Sequence, residues 1–238
     1  MSGSLPKIFC AIDTPDAAKA LELARMMAMA KCGIKLGLEF FCAHGLSGVE
    51  KIRTAGPDLA LFLDLKFHDI PNTVAGAVRS IMTLEPSYIT LHSSGGRDMM
   101  LAAQDAAKNE AAKLGVTAPG LLGVTVLTSF DNTTLEDVGQ MTPLEHQVLR
   151  LARLTKEAGL CGIVCGGPDI GAIRASLGPD FILMVPGIRP DGSTVQDQKR
   201  VMTPAAAMGA GATHLVIGRP ITGADSPGQM ARDILKDL

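Results

Sequence analysis

The sequence predicts an α/β fold, a single (β/α)8 TIM barrel, and three observations carry that expectation. Short β-prone runs recur about every 25 to 30 residues with helix-like stretches between them, the alternation of βα units. Eight such runs fit into 238 residues, close to the length a barrel of this kind needs and unlike an open doubly wound sheet. Polar residues collect at the carboxyl ends of the runs while the interiors stay apolar, and that edge is where such barrels do their chemistry.

In chain order the runs are "IFCAID" (8–13), "GIKLGLEFF" (33–41), "LALFLDLKF" (59–67), "YITLHS" (88–93), "GLLGVTVLT" (120–128), "GIVCG" (162–166), "FILMVPGI" (181–188) and "HLVIGRPI" (214–221). Helix starts fall between them. Thr14-Pro15 reads as an N-cap followed by proline at the first helical position, Thr142-Pro143-Leu144-Glu145 as a capping box, and Ser226-Pro227 as the start of the last helix. In "VAGAVRSIM" the residues Val74, Ala77, Val78 and Ile81 fall on one helical face. No linker-like or low-complexity segment divides the chain, so residues 1–238 are expected to form one domain.

Composition narrows the function classes. Lys+Arg 22 against Asp+Glu 24 gives a net charge of −2, so no overall basic field recruits nucleic acid or an anionic membrane. No apolar run approaches the roughly 18 residues of a membrane span. The start, "MSGSLPKIFCAID", lacks a charged segment followed by a long apolar one, so no secretory signal is expected and a cytoplasmic location is. The five cysteines are an odd number; Cys161 and Cys165 are spaced C-x3-C without an accompanying cluster, and reduced core thiols are expected. His44, His92, His146 and His214 have no spacing that points to a metal, and none is expected.

The densest chemistry lies in "LDLKFHDIPNT" (63–73), where Asp64, Lys66, His68 and Asp69 crowd the end of an otherwise apolar run. Parallel strands covered on both faces are near-continuous hydrophobic runs, and unpaired buried charge is costly. Alternation places Asp64, Lys66 and His68 on one face and Leu63, Leu65 and Phe67 on the other. With the first face turned inward, Asp64 and Lys66 project together into the barrel mouth, and Lys35 of "GIKLG" approaches from the neighbouring strand. One Asp–Lys pair is explained equally well as an ion pair holding the rim. Repetition on adjacent strands favours a site: in a Lys–Asp–Lys–Asp array each ammonium holds its neighbouring carboxylates ionised and itself stays protonated, which suits a general acid facing a carbanion. Other strand ends add Asp13, Thr128 and Ser129, Arg189 and Arg219. Thr128-Ser129 taken alone is an ordinary turn former. Gly218-Arg219 follows the eighth run, where barrels frequently bind phosphate. The long segment 186–204, "PGIRPDGSTVQDQKRVMTP", has the length of a lid.

These residues resemble the orotidine 5′-phosphate decarboxylase family. "LDLKFHDIPNT" is similar to its signature, Asp13 closes the first run as in that family, and Lys35 stands in its K-x-G context. "HSSGG" (92–96), "VLTS" (126–129), "PGIRP" (186–190) and "IGRPI" (217–221) resemble its fourth, fifth, seventh and eighth strand ends. Val185 stands where a Thr commonly precedes "PGIR", and Ser93 where an Ala is common; neither touches a charged position. The resemblance implies a cofactor-free loss of CO2 from orotidine 5′-monophosphate, giving UMP through a carbanion at C6. Lys66 is then the proton donor, Asp64 sits beside the departing carboxylate, Lys35 bridges Asp64 and the ribose, and Asp13 binds the ribose. Asp69 completes the array and, with Thr73, reaches across the interface of a homodimer into the partner's site. Thr128 and Ser129 meet the pyrimidine edge, Pro186 belongs to the substrate-binding segment, and Arg189, Gln198, Gly218 and Arg219 take the phosphate.

Two other readings compete. Metal-dependent sugar-phosphate barrels, such as 3-keto-gulonate 6-phosphate decarboxylase and hexulose phosphate synthase, share an Asp-x-Lys-x-x-Asp strand but lack the "IPNT" continuation. A nucleotide-binding barrel without activity is the other, and the intact set Lys35, Asp64, Lys66 and Asp69 argues against it.

Overall fold

The structure is a computed structural model that describes residues 5–190 and 202–238. Eight parallel strands, β1 (Ile8–Ala11), β2 (Gly33–Gly37), β3 (Leu61–Phe67), β4 (Tyr88–His92), β5 (Gly120–Val124), β6 (Gly162–Val164), β7 (Ile182–Val185) and β8 (His214–Ile217), close in sequence order into a barrel, with β8 paired to β1. The helices follow their strands: α1 (Ala17–Met29), α2 (Leu38–Arg53), α3 (Pro71–Ile81), α4 (Gly96–Leu114), α5 (Asn132–Asp137), α6 (Leu144–Glu157), α7 (Ile170–Leu177), α8 (Pro204–Ala210), α9 (Arg219–Thr222) and α10 (Pro227–Lys236). The expected (β/α)8 architecture is therefore present, with a second helix after β5 and after β8.

Burial on both faces explains why the strands read as apolar runs. One face of each strand packs outward beneath the helices, where Ile8, Cys10, Leu63, Ile89, Ile163 and Leu215 are all buried. The other face fills the barrel with a separate cluster of Phe9, Ala11, Phe62, Tyr88, Leu122, Met184 and Val216. Large rings fit on the barrel floor because glycines face them. A Cβ at Gly33 would lie 2.6 Å from the Phe9 ring, and one at Gly120 would lie 2.6 Å from that of Tyr88. The floor also holds a polar chain. His214 Nδ1 is 2.8 Å from the Pro6 carbonyl, to which it must donate, leaving Nε2 of the neutral ring to accept from the Tyr88 hydroxyl at 2.9 Å. Burial lowers the pKa of His214, against the opposing pull of the Pro6 carbonyl.

Where strands end differs from the sequence expectation. The runs at 33–41, 120–128 and 214–221 stop as strands at Gly37, Val124 and Ile217. Leu38–Phe41 instead open α2, with Phe40 fully buried and Leu38 exposed. A short apolar stretch does not distinguish strand from helix by periodicity alone. Helix entries shift too. Asp16, not Thr14, caps α1, its Oδ1 accepting from the Ala18 and Lys19 amides at 2.8 and 3.1 Å. The capping box at Thr142 does not form: Pro143 occupies the cap of α6, and the Thr142 hydroxyl donates to Glu136 at 3.3 Å. Ser226 does precede the last helix. On α3 the buried residues are Val74, Ala75, Val78 and Ile81, with Ala77 only partly covered, because α3 packs against α4 as well as the barrel wall.

Candidate active site

At the carboxyl ends of the strands a cavity of about 450 Å³ opens. Its base is apolar, formed by Phe62, Val124, Val164 and Val216; Asp13, Lys35, Asp64 and Lys66 form one wall, and Thr128, Pro186, Arg189, Gly218 and Arg219 ring the rest. An apolar base with a few converging charges matches a small-molecule site.

The charged wall is continuous. Asp64 Oδ2 lies 2.6 Å from Lys66 Nζ and 3.8 Å from Lys35 Nζ, and Lys35 Nζ lies 2.9 Å from Asp13 Oδ1. The side chains of Lys35 and Asp64 are only 10% and 13% exposed, so the alternation of sign offsets the cost of desolvating each charge. Lys35 starts one layer down, level with Ala11 and Phe62 in the ladder. Its stem rises past Gly37, where a Cβ would stand 3.1 Å from Nζ; the glycine leaves the ammonium its route.

Lys66 reaches the wall by a route that simple alternation does not give. Leu63 pairs with Ile89 and Phe67 with Leu91, so three residues of β3, 64–66, stand opposite the single residue Thr90 of β4. Lys66 takes up the excess in the left-handed region at φ 50°, a conformation that side chains with a Cβ rarely adopt. His68 consequently leaves the face predicted for it. It is exposed, outside the cavity lining, and its ring lies 5.2 Å from that of His92, tilted by 33°. Burial lowers the His92 pKa first, and the nearby His68 and Lys66 lower it further, against the opposing pull of Asp64.

On the far wall, Gly218 and Arg219 sit where β8 passes into α9, and the Gly218 carbonyl accepts from the Ile221 and Thr222 amides at 2.8 and 3.0 Å. Arg189 is anchored by its own amide, which donates to the Met202 carbonyl at 3.0 Å, while Ile188 and Met202 form a parallel bridge. The two ends of the long segment after β7 are thus pinned together beside the cavity. Gln198 lies outside the described residues.

Three expected residues stand apart from the cavity of their own chain. Ser129 is exposed beyond Thr128, and Thr73 is exposed in the first turn of α3. Asp69 is exposed as well, with Oδ1 accepting from the Ile70 amide at 2.6 Å. Sequence reasoning missed Thr90, which is fully buried directly behind the array. The available signal was its parity: Tyr88, Thr90 and His92 alternate along the strand beside the charged one. Among the described residues no group of three or more His, Cys, Asp or Glu is arranged to hold a metal ion, and no helix is long and apolar enough to cross a membrane.

Fold and site together define a (β/α)8 barrel that carries alternating ammonium and carboxylate groups at its strand ends. The chain belongs to the Orotidine 5′-phosphate decarboxylase / HUMPS family, whose match spans residues 6–234. The orotidine 5′-phosphate decarboxylase of Rhodospirillum rubrum is 52% identical over 231 residues, covering 97% of this chain and 93% of the relative. That of Paramagnetospirillum magneticum is 49% identical, covering 97% of each. Among solved structures, the orotidine 5′-phosphate decarboxylase of Lactobacillus acidophilus superposes with a TM-score of 0.85 at 31% identity, over 98% of this chain and 99% of that one.

Proposed function

We propose that this chain converts orotidine 5′-monophosphate to UMP and CO2 without a cofactor, closing pyrimidine nucleotide synthesis in the cytoplasm. The observation that carries the proposal is the Asp13–Lys35–Asp64–Lys66 wall along one side of a nucleotide-sized cavity. When the C6–carboxylate bond breaks, its electron pair remains on C6 and CO2 departs. A cation facing C6 stabilises that charge, and Lys66 Nζ then delivers a proton to the carbon. Asp64 pairs with Lys66 Nζ at 2.6 Å and aims it, and stands where the departing carboxylate is repelled. Lys35 and Asp13 face the ribose hydroxyls. Thr128 meets the pyrimidine edge, with Ser129 beside it and Pro186 on the opposite rim. Arg189, Gly218 and Arg219 receive the phosphate, joined by Gln198 of the long segment after β7. Binding energy gathered at that phosphate supports the chemistry at the ring.

Asp69 and Thr73 act in the partner's site of a homodimer. Their exposure beside Ile70, itself 68% exposed on the same edge, is what an interface contribution requires. No nucleic acid or membrane takes part.

The family description joins this activity to a second group, so the sugar-phosphate reading needs a discriminating observation. Eight curated relatives at 45–52% identity carry the name orotidine 5′-phosphate decarboxylase, which favours the first reading. The test is the loss of orotidine monophosphate absorbance on adding protein, with and without EDTA. Equal rates are expected, because two ammonium groups supply the positive charge a metal would otherwise bring. A collapse that Mg²⁺ restores would transfer the chain to the sugar-phosphate enzymes, and no absorbance change at all would leave a binding protein.

A further inference from the structure

We infer that Thr90 is a positioning residue that sets the proton donor and its carboxylate partner in register; this rests on the decarboxylase reading for what the pair then does. The Thr90 hydroxyl is engaged in both directions. It accepts from the backbone amide of Lys66 at 2.9 Å and donates to Asp64 Oδ1 at 3.0 Å. A hydroxyl has one proton to give and lone pairs to receive, so a single side chain ties the main chain of one member of the pair to the carboxylate of the other. Asp64 Oδ2 meanwhile holds Lys66 Nζ at 2.6 Å. The ring Lys66 amide–Thr90–Asp64–Lys66 ammonium is closed.

The position explains why a hydroxyl is needed. Thr90 is the only β4 residue opposite the bulge formed by residues 64–66. There the ladder shifts register, and the Lys66 amide donates to the Thr90 hydroxyl. A buried amide without a partner is costly, and Lys66 at φ 50° is already strained. The Thr90 side chain accepts from that amide where the register shifts and so supports the left-handed conformation. Its relative exposure is 0%, so no water replaces it. Strain held by a neighbouring side chain, at the residue that carries the proton, is the arrangement expected where geometry matters more than local stability.

The experiment compares Thr90→Val, which keeps the shape and removes the hydroxyl, with Thr90→Ser, which keeps the hydroxyl. Thermal melting is measured for each beside steady-state kinetics. The valine variant should lose about 10- to 100-fold in kcat with KM changed less than about threefold, because the phosphate and ribose contacts are untouched. The serine variant should retain kcat within about threefold of wild type. Near-normal kcat in Thr90→Val, or an equal loss in Thr90→Ser, would overturn the inference. Should the valine variant fail to fold, Thr90→Ala takes its place, and equal kcat for alanine and serine would overturn it equally. Failure of every hydroxyl-free variant to fold would assign Thr90 to the fold alone. Wild type assayed in parallel separates the two ideas: without turnover of orotidine monophosphate the decarboxylase reading falls, whereas the geometric half is read from crystal structures of the variants. Those should show Lys66 leaving the left-handed region when the hydroxyl is gone. A Lys66 that keeps its φ and its bond to Asp64 without the Thr90 hydroxyl would sink the positioning role whatever the substrate.

Discussion

In the proposed reaction two demands meet at Nζ of Lys66: it must remain a cation while negative charge grows at the substrate carbon, and it must then surrender a proton to that carbon. Its setting serves both. Asp64 Oδ2 at 2.6 Å holds the ammonium, and the second ammonium, Lys35, bonds Asp13 at 2.9 Å and stays 3.8 Å from Asp64, so the two cations are kept apart by carboxylates. Lys66→Ala should therefore lower kcat by at least about 10³-fold, since it removes the acid and the facing charge together. Folding should survive, because Asp64 retains Thr90 at 3.0 Å and Lys35 beyond it; circular dichroism and a melting curve read that separately from the rate. Turnover near that of wild type would show that the proton comes from elsewhere.

The elements that carry these residues also carry a titration signature. His214 of β8 and Tyr88 of β4 meet across the barrel floor, and burial depresses the His214 pKa below its ordinary value of 6.5. A group whose folded-state pKa is depressed binds fewer protons folded than unfolded, so its contribution is complete above the unfolded value and declines as pH falls below it. Urea unfolding at about pH 7.5 and about pH 5.5 should show a loss of stability in wild type that is smaller in His214→Gln, which cannot charge. An identical loss in both would mean that His214 charges as freely folded as unfolded. The same strands show what the sequence made legible. Eight apolar runs located eight strands because two-sided burial leaves a strong signal, and the polar strand ends pointed to the mouth. Their limits were less legible: residues 38–41 are apolar in either conformation, and only packing decides that Phe40 faces the core from a helix. In β3 the charges were legible but not the bulge that presents them. Strict alternation predicts His68 beside Lys66, and a left-handed lysine is too rare to expect from residue type. Parity put Thr90 on the same face as Tyr88 and His92, but its importance was not legible, because it comes from facing an irregularity.

Over the whole molecule, the residue that remains outside this arrangement is Asp69. Lys35, Asp64 and Lys66 of the array share one cavity with Asp13, whereas Asp69 is exposed just before α3 and bonded to its own chain's Ile70 amide at 2.6 Å. In the proposed homodimer a carboxylate held at the surface beside Ile70, which is 68% exposed, would enter the neighbouring site across the two-fold axis rather than its own. Subunit mixing tests this directly. Lys66→Ala and Asp69→Ala proteins, each nearly inactive, are mixed equally and allowed to exchange, with exchange verified by co-purification of differently tagged subunits. If Asp69 acts in trans, a mixed dimer gathers both lesions into one site and leaves the other with native Lys66 and native Asp69. Random exchange makes about half the dimers mixed, so roughly one site in four should regain activity. If Asp69 acts in cis, every site keeps one lesion and mixing restores nothing. Verified exchange without any gain in rate would therefore exclude the shared site, and would require α3 to turn Asp69 inward when substrate binds.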